Sequence, residues 1–367
     1  MDVLDRQPLP AIASPEASPQ ALRQLDLNLN HWYVVAQSQE VGAKPRAVTL
    51  WQQPLVIYRD GQGQIHAMED RCPHRQVKLS EGKVQGDHLV CAYHGWAFDP
   101  RGHCAQVPYL EARQKLPSCR LRTYPVREQD GFIWVFPGDR PVETLPPPLG
   151  VPEWEHLNFI GSVATIDVAC HYSFLIENLM DMYHGHLHGA AQVWANPVLT
   201  DLQVDGAQVH AHYDAESYYR IDRIWSAIQL VVPALRQLHP APLDVYYRYP
   251  HWVATLGKEF TLYCLFCPVS PTRTRAYLLH FTSLQNFPKL HKTPLVVRRF
   301  CKSLFTNSAS FVLRRLVRED VLMLEQEQQA FSLDPTYRGP ELNRTLTAVQ
   351  QLIRHQASST APVHDLR

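Results

Sequence analysis

The sequence predicts an α+β fold, an all-β domain followed by a second domain in which strands give way to helices. Short β-rich runs with turn pairs fill the first part, a proline-rich break follows, and apolar residues recur at helical spacing in the last third. Residues 1–24 mix Pro, Ala, Ser and Gln without periodicity. Such a composition does not repay the entropy of ordering, so a flexible arm is expected there. Regular structure begins near Trp32, with β runs at Trp32–Ala36, Val48–Arg59, Ile65–Met68 and Phe132–Phe136 and a turn at Asp60-Gly61. Pro141, Pro146, Pro147, Pro148 and Pro152, with Gly150, suit an extended linker. The expected domains are therefore 25–145 and 146–340, followed by a tail over 341–367. In the second domain, alternation at Ile160–Ala169 precedes a helix-like run at Tyr172–His188. Strands are then expected near Val204–His212, Val245–Leu256, Phe260–Val269 and Ala276–Thr282. Leu295–Arg299 and Ser310–Phe331, with Phe311, Leu313, Leu316, Val317, Val321 and Leu324 at helical spacing, predict a long helix packed on that sheet.

The 367 residues carry 35 basic and 35 acidic side chains, and this balance argues against nucleic acid as a partner. With 45% apolar and 19% charged residues the chain has enough apolar surface to bury a core. No apolar run reaches the length of a membrane span, and the N-terminus lacks the pattern of a secretory signal, so a soluble, intracellular (cytoplasmic) protein is expected. In that setting the 8 Cys and 19 His point to metal binding or catalysis rather than to disulfides.

The strongest motif is Cys72-Pro73-His74, then sixteen residues, then Cys91-Ala92-Tyr93-His94. Two thiolates and two imidazoles in paired loops can hold a [2Fe–2S] cluster, sulfur on one iron and nitrogen on the other. Tetrahedral zinc is the competitor, but zinc pairs usually run Cys with Cys and His with His, whereas here each half contributes one of each. Cys104, Cys119, Cys170, Cys264, Cys267 and Cys301 lack matching partners, and Cys264-x₂-Cys267 reads as core or pocket wall.

A second constellation is Glu177-Asn-Leu-Met-Asp181-Met-Tyr-His184-Gly-His186-Leu-His188. On a helix Asp181, His184 and His188 share one face. Two His and one carboxylate make the facial triad that binds Fe(II) and leaves positions open for O₂ and substrate. A hydrogen-bonded core network is the bland alternative.

The Cys-x-His-x₁₆-Cys-x₂-His motif, followed by Gly95-Trp96, resembles the signature of Rieske-type non-haem iron oxygenases, and the resemblance spans residues 30–335. It implies a Rieske β domain over 25–145 and a helix-grip (START-like) α+β catalytic domain over 146–340. The family's Asn-x₂-Asp-x₂-His-x₄-His pattern is matched by Asn178, Asp181 and His184. His188 follows after three intervening residues instead of four. The resemblance implies His188 as the second ligand, with His186 as the alternative, and Asp320 of the Glu319-Asp320 pair as the third, with Glu319 in reserve. It also implies a homotrimer in which Asp181 bridges a cluster His of one subunit to His184 of the next. The expected cofactors are a [2Fe–2S] cluster and mononuclear Fe(II), with O₂ as co-substrate.

No flavin or nicotinamide motif is present, so electrons are expected from a ferredoxin or a flavin reductase. The implied activity is mono- or dioxygenation, meaning hydroxylation or oxidative demethylation of an aromatic or other hydrophobic ring compound, a chlorophyll-type tetrapyrrole being the alternative substrate class. The aromatics Tyr246, Tyr247, Tyr249, Trp252, Phe260, Tyr263, Phe266, Trp194 and Trp225 serve equally well as pocket wall or as core. From Phe260 to Arg318 there are ten Lys or Arg and no acidic residue, suiting an acidic electron donor, a substrate carboxylate, an anionic membrane, or a merely solvated helix face. The rival reading is an electron carrier that has lost its mononuclear iron.

Overall fold

The computed structural model describes residues 21–218, 232, 235–257, 260–283, 293–306 and 310–358. Residues 1–20 of the expected arm, Trp225 and residues 359–367 of the expected tail lie outside them. The described chain is α+β and divides into two compact units: 27–154 with 267–270, and 21–26 with 155–266 and 271–358.

The first unit is all β. Strand β1 (Tyr33–Gln37) pairs with β10 (Phe132–Val135), and β10 with β9 (Val126–Gln129). A second sheet joins β2 (Arg46–Leu50), β3 (Gln53–Arg59) and β4 (Ile65–Glu69). A third joins β5 (Lys83–Gln85), β6 (His88–Val90), β7 (Ala97–Phe98) and β8 (Cys104–Gln106). The expected run Val48–Arg59 is thus a hairpin, closed by Trp51 and Gln52 with φ of 45° and 63°, the mirror-image turn that matches strand twist. The proline-rich stretch is fastened to this unit and is not a free linker. Trp32 Nε1 donates to the Pro146 carbonyl (2.7 Å), Val151 N–H donates to Asp130 (2.8 Å), and the Trp154 ring lies 5.4 Å from Phe132. These contacts move the boundary from 145 to 154.

The second unit is built on a seven-stranded sheet in the order β11 (Phe159–Val168), β17 (Arg273–Ser283), β16 (Phe260–Ser270), β15 (His251–Leu256), β14 (His239–Arg248), β13 (Gln208–Ser217), β12 (Trp194–Val204). The strand expected at Val204–His212 straddles the β12–β13 turn, where the Asp205 carboxylate accepts the N–H groups of Ala207 and Gln208. Val245–Leu256 likewise contains the turn between β14 and β15.

Helix α1 (Tyr172–Met180) starts at His171, whose Nδ1 accepts the Ser173 N–H. It does not run on to His188. At Asp181 (φ −87°, ψ 104°) it stops, and a 3₁₀ helix covers Met182–Ala191. Beyond the sheet come α2 (Leu295–Phe305), α3 (Ser310–Leu316), α4 (Arg318–Leu333) and α5 (Arg344–Ser358), so the expected single long helix is divided at Val317. The expected tail is in part α5, ordered because Leu346, Val349, Leu352 and Ile353 form a buried stripe at helical spacing. Ala21, Leu22 and Leu25, at the end of the expected arm, are also buried. Between them Arg23 reaches Glu177 on α1 (Nη2–Oε2 2.8 Å) with its guanidinium 3.8 Å over the Phe174 ring. Helix α1 therefore lies among α4, α5 and the sheet, and this packing sets the position of everything that follows Asp181.

Candidate metal centres

In the first unit, two loops of the same construction face each other. Cys72 N–H donates to the Val77 carbonyl (2.9 Å) while the Cys72 carbonyl accepts from Gln76 N–H (2.7 Å). Cys91 repeats this with Trp96 (2.8 Å) and Gly95 (3.1 Å), at the same offsets. Each loop turns through a left-handed residue, Gln76 at φ 58° and Gly95 at φ 71°. Only at the second loop is the space closed, since a Cβ on Gly95 would lie 2.9 Å from Pro108 Cγ. Asp70 ties the first loop by accepting from Ser80 N–H (2.7 Å) and Oγ (2.6 Å).

The loops bury Cys72 and Cys91 and leave His74 and His94 half-exposed, with imidazole centroids 4.6 Å apart. Trp96 stacks on His74 at 4.7 Å, and its Nε1 donates to Tyr109 Oη (2.8 Å). Burial, together with the neighbouring Cys91 sulfur, pushes the Cys72 thiol up to about 11. A bound metal ion would reverse that balance at Cys72. With thiols inside and imidazoles outside, the donor set fits a two-iron cluster.

In the second unit, His184 and His188 lie on the 3₁₀ helix and Asp320 in the first turn of α4, with their donor atoms within 4.8 Å of one another. His184 Nε2 is 3.6 Å from Asp320 Oδ1 and His188 Nε2 is 4.0 Å from Oδ2. These separations are too long for hydrogen bonds and match donors that each approach a shared ion at about 2 Å. Buried Nδ1 atoms of both His lack hydrogen-bond partners among the described residues. Burial keeps the His188 imidazole neutral against the opposing pull of Asp320, and neutral imidazole is the form that ligates. Asp320 itself is only 7% exposed. An isolated carboxylate is rarely buried that far, so this one needs a counter-charge. The site fits a divalent cation.

The structure brings together His184, His188 and Asp320, and leaves His186 and Glu319 exposed. Asn178 joins from α1, its Nδ2 3.3 Å from Asp320 Oδ1. Asp181 does not share a helix face with the two His, because the chain breaks there. Its Oδ1 caps the 3₁₀ helix by accepting Tyr183 N–H (2.9 Å) and also accepts from Asn343 Nδ2 (3.1 Å), just ahead of α5. The missing residue between His184 and His188 is accommodated by the 3₁₀ winding, which leaves their ring centroids 5.3 Å apart.

Of the candidate aromatics, Trp194 is at this centre, 5.6 Å from both imidazoles, its Nε1 donating to the Met182 carbonyl (2.8 Å). Tyr247 and Phe266 are fully buried, as core rather than wall, and Tyr246 stacks on His210. Sequence reading missed Asn343, although an Asn three residues before an apolar helical stripe is an N-cap signal, and Asn343 Oδ1 does accept Thr345 N–H (3.0 Å).

A cluster-type donor set in one unit and an open facial triad in the other define an oxygenase that is fed electrons. A model of the Rieske [2Fe-2S] domain matches residues 31–125. The chain is 32% identical over 343 residues to the 4beta-methylsterol monooxygenase of Methylococcus capsulatus, an alignment covering 90% of this chain and 89% of that one. It is 36% identical over 167 residues to the oxygenase component of dicamba O-demethylase from Stenotrophomonas maltophilia, covering 44% of this chain and 48% of that protein. Among solved structures, dicamba monooxygenase bound to dicamba superposes with a TM-score of 0.70 at 21% identity, over 90% of this chain and 98% of that one. The chain belongs to the Rieske non-haem iron oxygenases.

It is accordingly an enzyme with a [2Fe–2S] cluster and a mononuclear iron that uses O₂ and externally supplied electrons to hydroxylate or demethylate its substrate. The electron-carrier reading falls away, since the donor set for the second metal is intact. No helix among the described residues is long and apolar enough to cross a membrane.

Proposed function

We propose that Cys72, His74, Cys91 and His94 hold the cluster, that His184, His188 and Asp320 hold the iron, and that the enzyme monooxygenates a carbon substituent, foremost a methyl group, on a bulky hydrophobic ring compound. The observation that carries the reading is the convergence of His184, His188 and Asp320 at distances too long for hydrogen bonds. Support for the substrate class comes from the relative that aligns over 90% of this chain, named for a methylsterol.

When bound, the iron supplies O₂ activation driven by electrons from the cluster. The chain's own residues prepare the site. Burial favours neutral His188, Asn178 steadies Asp320, and the Trp194 ring stands edge-to-face beside both imidazoles. Asp181 is the electron bridge in a homotrimer. Both its hydrogen bonds use Oδ1, leaving Oδ2 unbonded among the described residues and able to accept an imidazole N–H. A ferredoxin or flavin reductase is the donor. One oxygen atom enters the substrate and the other leaves as water, consuming two electrons and two protons.

The test is turnover of the reconstituted enzyme under ¹⁸O₂ with a ferredoxin–reductase pair, on 4-methylsterol, methoxybenzoate and chlorophyllide substrates. One labelled oxygen in a hydroxymethylsterol supports the proposal. Exclusive turnover of chlorophyllide, or product carrying two labelled hydroxyls, refutes it.

A further inference from the structure

Helix α2 is turned inside out. A surface helix normally points its apolar stripe at the core and its charges at water. Here Val296, Phe300 and Leu304 are 77%, 66% and 62% exposed, and Leu295 and Val297 are exposed beside them. The basic residues do the fastening: Arg298 Nη1 donates to Asn158 Oδ1, and Lys302 Nζ donates to the His156 carbonyl (2.9 Å). Among the described side chains of this eleven-residue helix, the hydrogen bonds to its unit come from cations, and Leu295, Val296, Phe300 and Leu304 face outward.

We infer that α2 is a membrane-docking element, which lays Leu295, Val296, Phe300 and Leu304 into the headgroup–acyl boundary of an anionic lipid bilayer. Two properties of the face select this occupant. The first is charge. From Pro294 to Arg318 the chain has six Lys or Arg and no Asp or Glu, with Arg299, Arg314 and Arg315 exposed. A second copy seated on α2 about a two-fold axis would set two such acid-free segments against each other, where like charges repel, and contact with a different face of a copy in the homotrimer is what the particle-mass arm of the test below decides. An anionic membrane attracts them instead.

The second property is apolarity. An acidic electron donor would meet the charges, but it must leave after each delivery, and such encounters are small and wet. Large side chains on successive turns of one helix require an apolar sink with a negative rim. A bilayer interface provides that to a helix lying in its plane. Membrane docking is independent of which ring compound is oxidised, so failure of the turnover test leaves it standing and the reverse also holds.

The experiment is sedimentation of the full-length holoenzyme with phosphatidylcholine vesicles, with and without about 30% phosphatidylglycerol, at low and high salt. Wild type is compared with the Val296→Ser, Phe300→Ser, Leu304→Ser triple variant, with cluster absorbance and iron content checked for both. Wild type should co-sediment with the anionic vesicles, weaken at high salt, and lose at least about tenfold in partitioning in the triple variant. A separate Phe300→Trp variant, which keeps the face apolar, should shift its emission to the blue on anionic vesicles even if the triple variant misfolds. The proposal is overturned if wild type stays in the supernatant, if the emission of the Phe300→Trp variant is unmoved, or if the triple variant changes particle mass in lipid-free solution, which would mean that copies of the chain cover the face.

Discussion

Replacing His188 and His186 separately by Ala puts the proposed iron site to its sharpest test, because the two residues lie two positions apart on the same short 3₁₀ helix. His188 is 7% exposed and lies beside Asp320 and Trp194, whereas His186 is exposed. Removing an outer partner of a metal ligand typically costs 10–100-fold in affinity, so removing one of three protein donors should cost at least about a hundredfold, or about 2.7 kcal/mol. Loss of His186 should change nothing measurable. The buried cavity in His188→Ala also costs about 1–3 kcal/mol of stability, which His188→Gln reduces by keeping volume. The assay is anaerobic reconstitution with Fe(II), desalting, and determination of iron and acid-labile sulfide. Wild type and His186→Ala should hold about three iron per two sulfide, and both His188 variants about two per two. Full iron in the His188 variants, or loss in His186→Ala, would refute the assignment.

Asp181→Ala should keep both metals, by the same iron and sulfide assay, and lose substrate turnover, with cluster reduction by the external donor unchanged; normal turnover would remove Asp181 from the electron path. A third prediction concerns acid. Burial, reinforced by Arg23, lowers the fully buried His171 to about 3. The fold therefore keeps this ring neutral while the unfolded chain protonates it near 6.5, and stability falls as pH drops from about 6.5 toward 3. At pH 5 the cost is about 2 kcal/mol. Thermal unfolding followed by circular dichroism between about pH 7 and 5 should show this slope in wild type and a shallower one in His171→Asn, which retains an N-cap acceptor. Equal slopes would mean that His171 is not a source of acid lability.

The two centres differ in how far they can be read from residues. The cluster loops are local: each Cys closes its own turn four and five residues on, so the motif and the geometry are one object. The iron site depends on where a helix ends. Continuous spacing from Tyr172 to His188 puts Asp181 on the face of the two His, and nothing in the periodicity signals the break that makes Asp181 a cap instead. Asp320 on its own looks like any carboxylate on an amphipathic helix, and only its burial against Asn178 and the imidazoles distinguishes it. Period-two reading runs through the hairpins at Asp205 and Tyr249, because alternation continues across a turn closed by side-chain and backbone bonds. Helix α5 escapes notice although its apolar stripe is in view, since polar Gln, Arg and His lie between the buried positions.

The bond between Asn343 and Asp181 joins residues 162 positions apart. At about 5–20 residues per second a ribosome takes roughly 8–30 seconds to supply the second after the first. All four residues of the cluster motif are made before Asp181 exists. During synthesis the electron-entry centre has its donors early, while His184 and His188 wait without Asp320, and Asp181 without its anchor. In the growing chain the donors proposed for the cluster are therefore all present well before the set proposed for O₂ activation is complete.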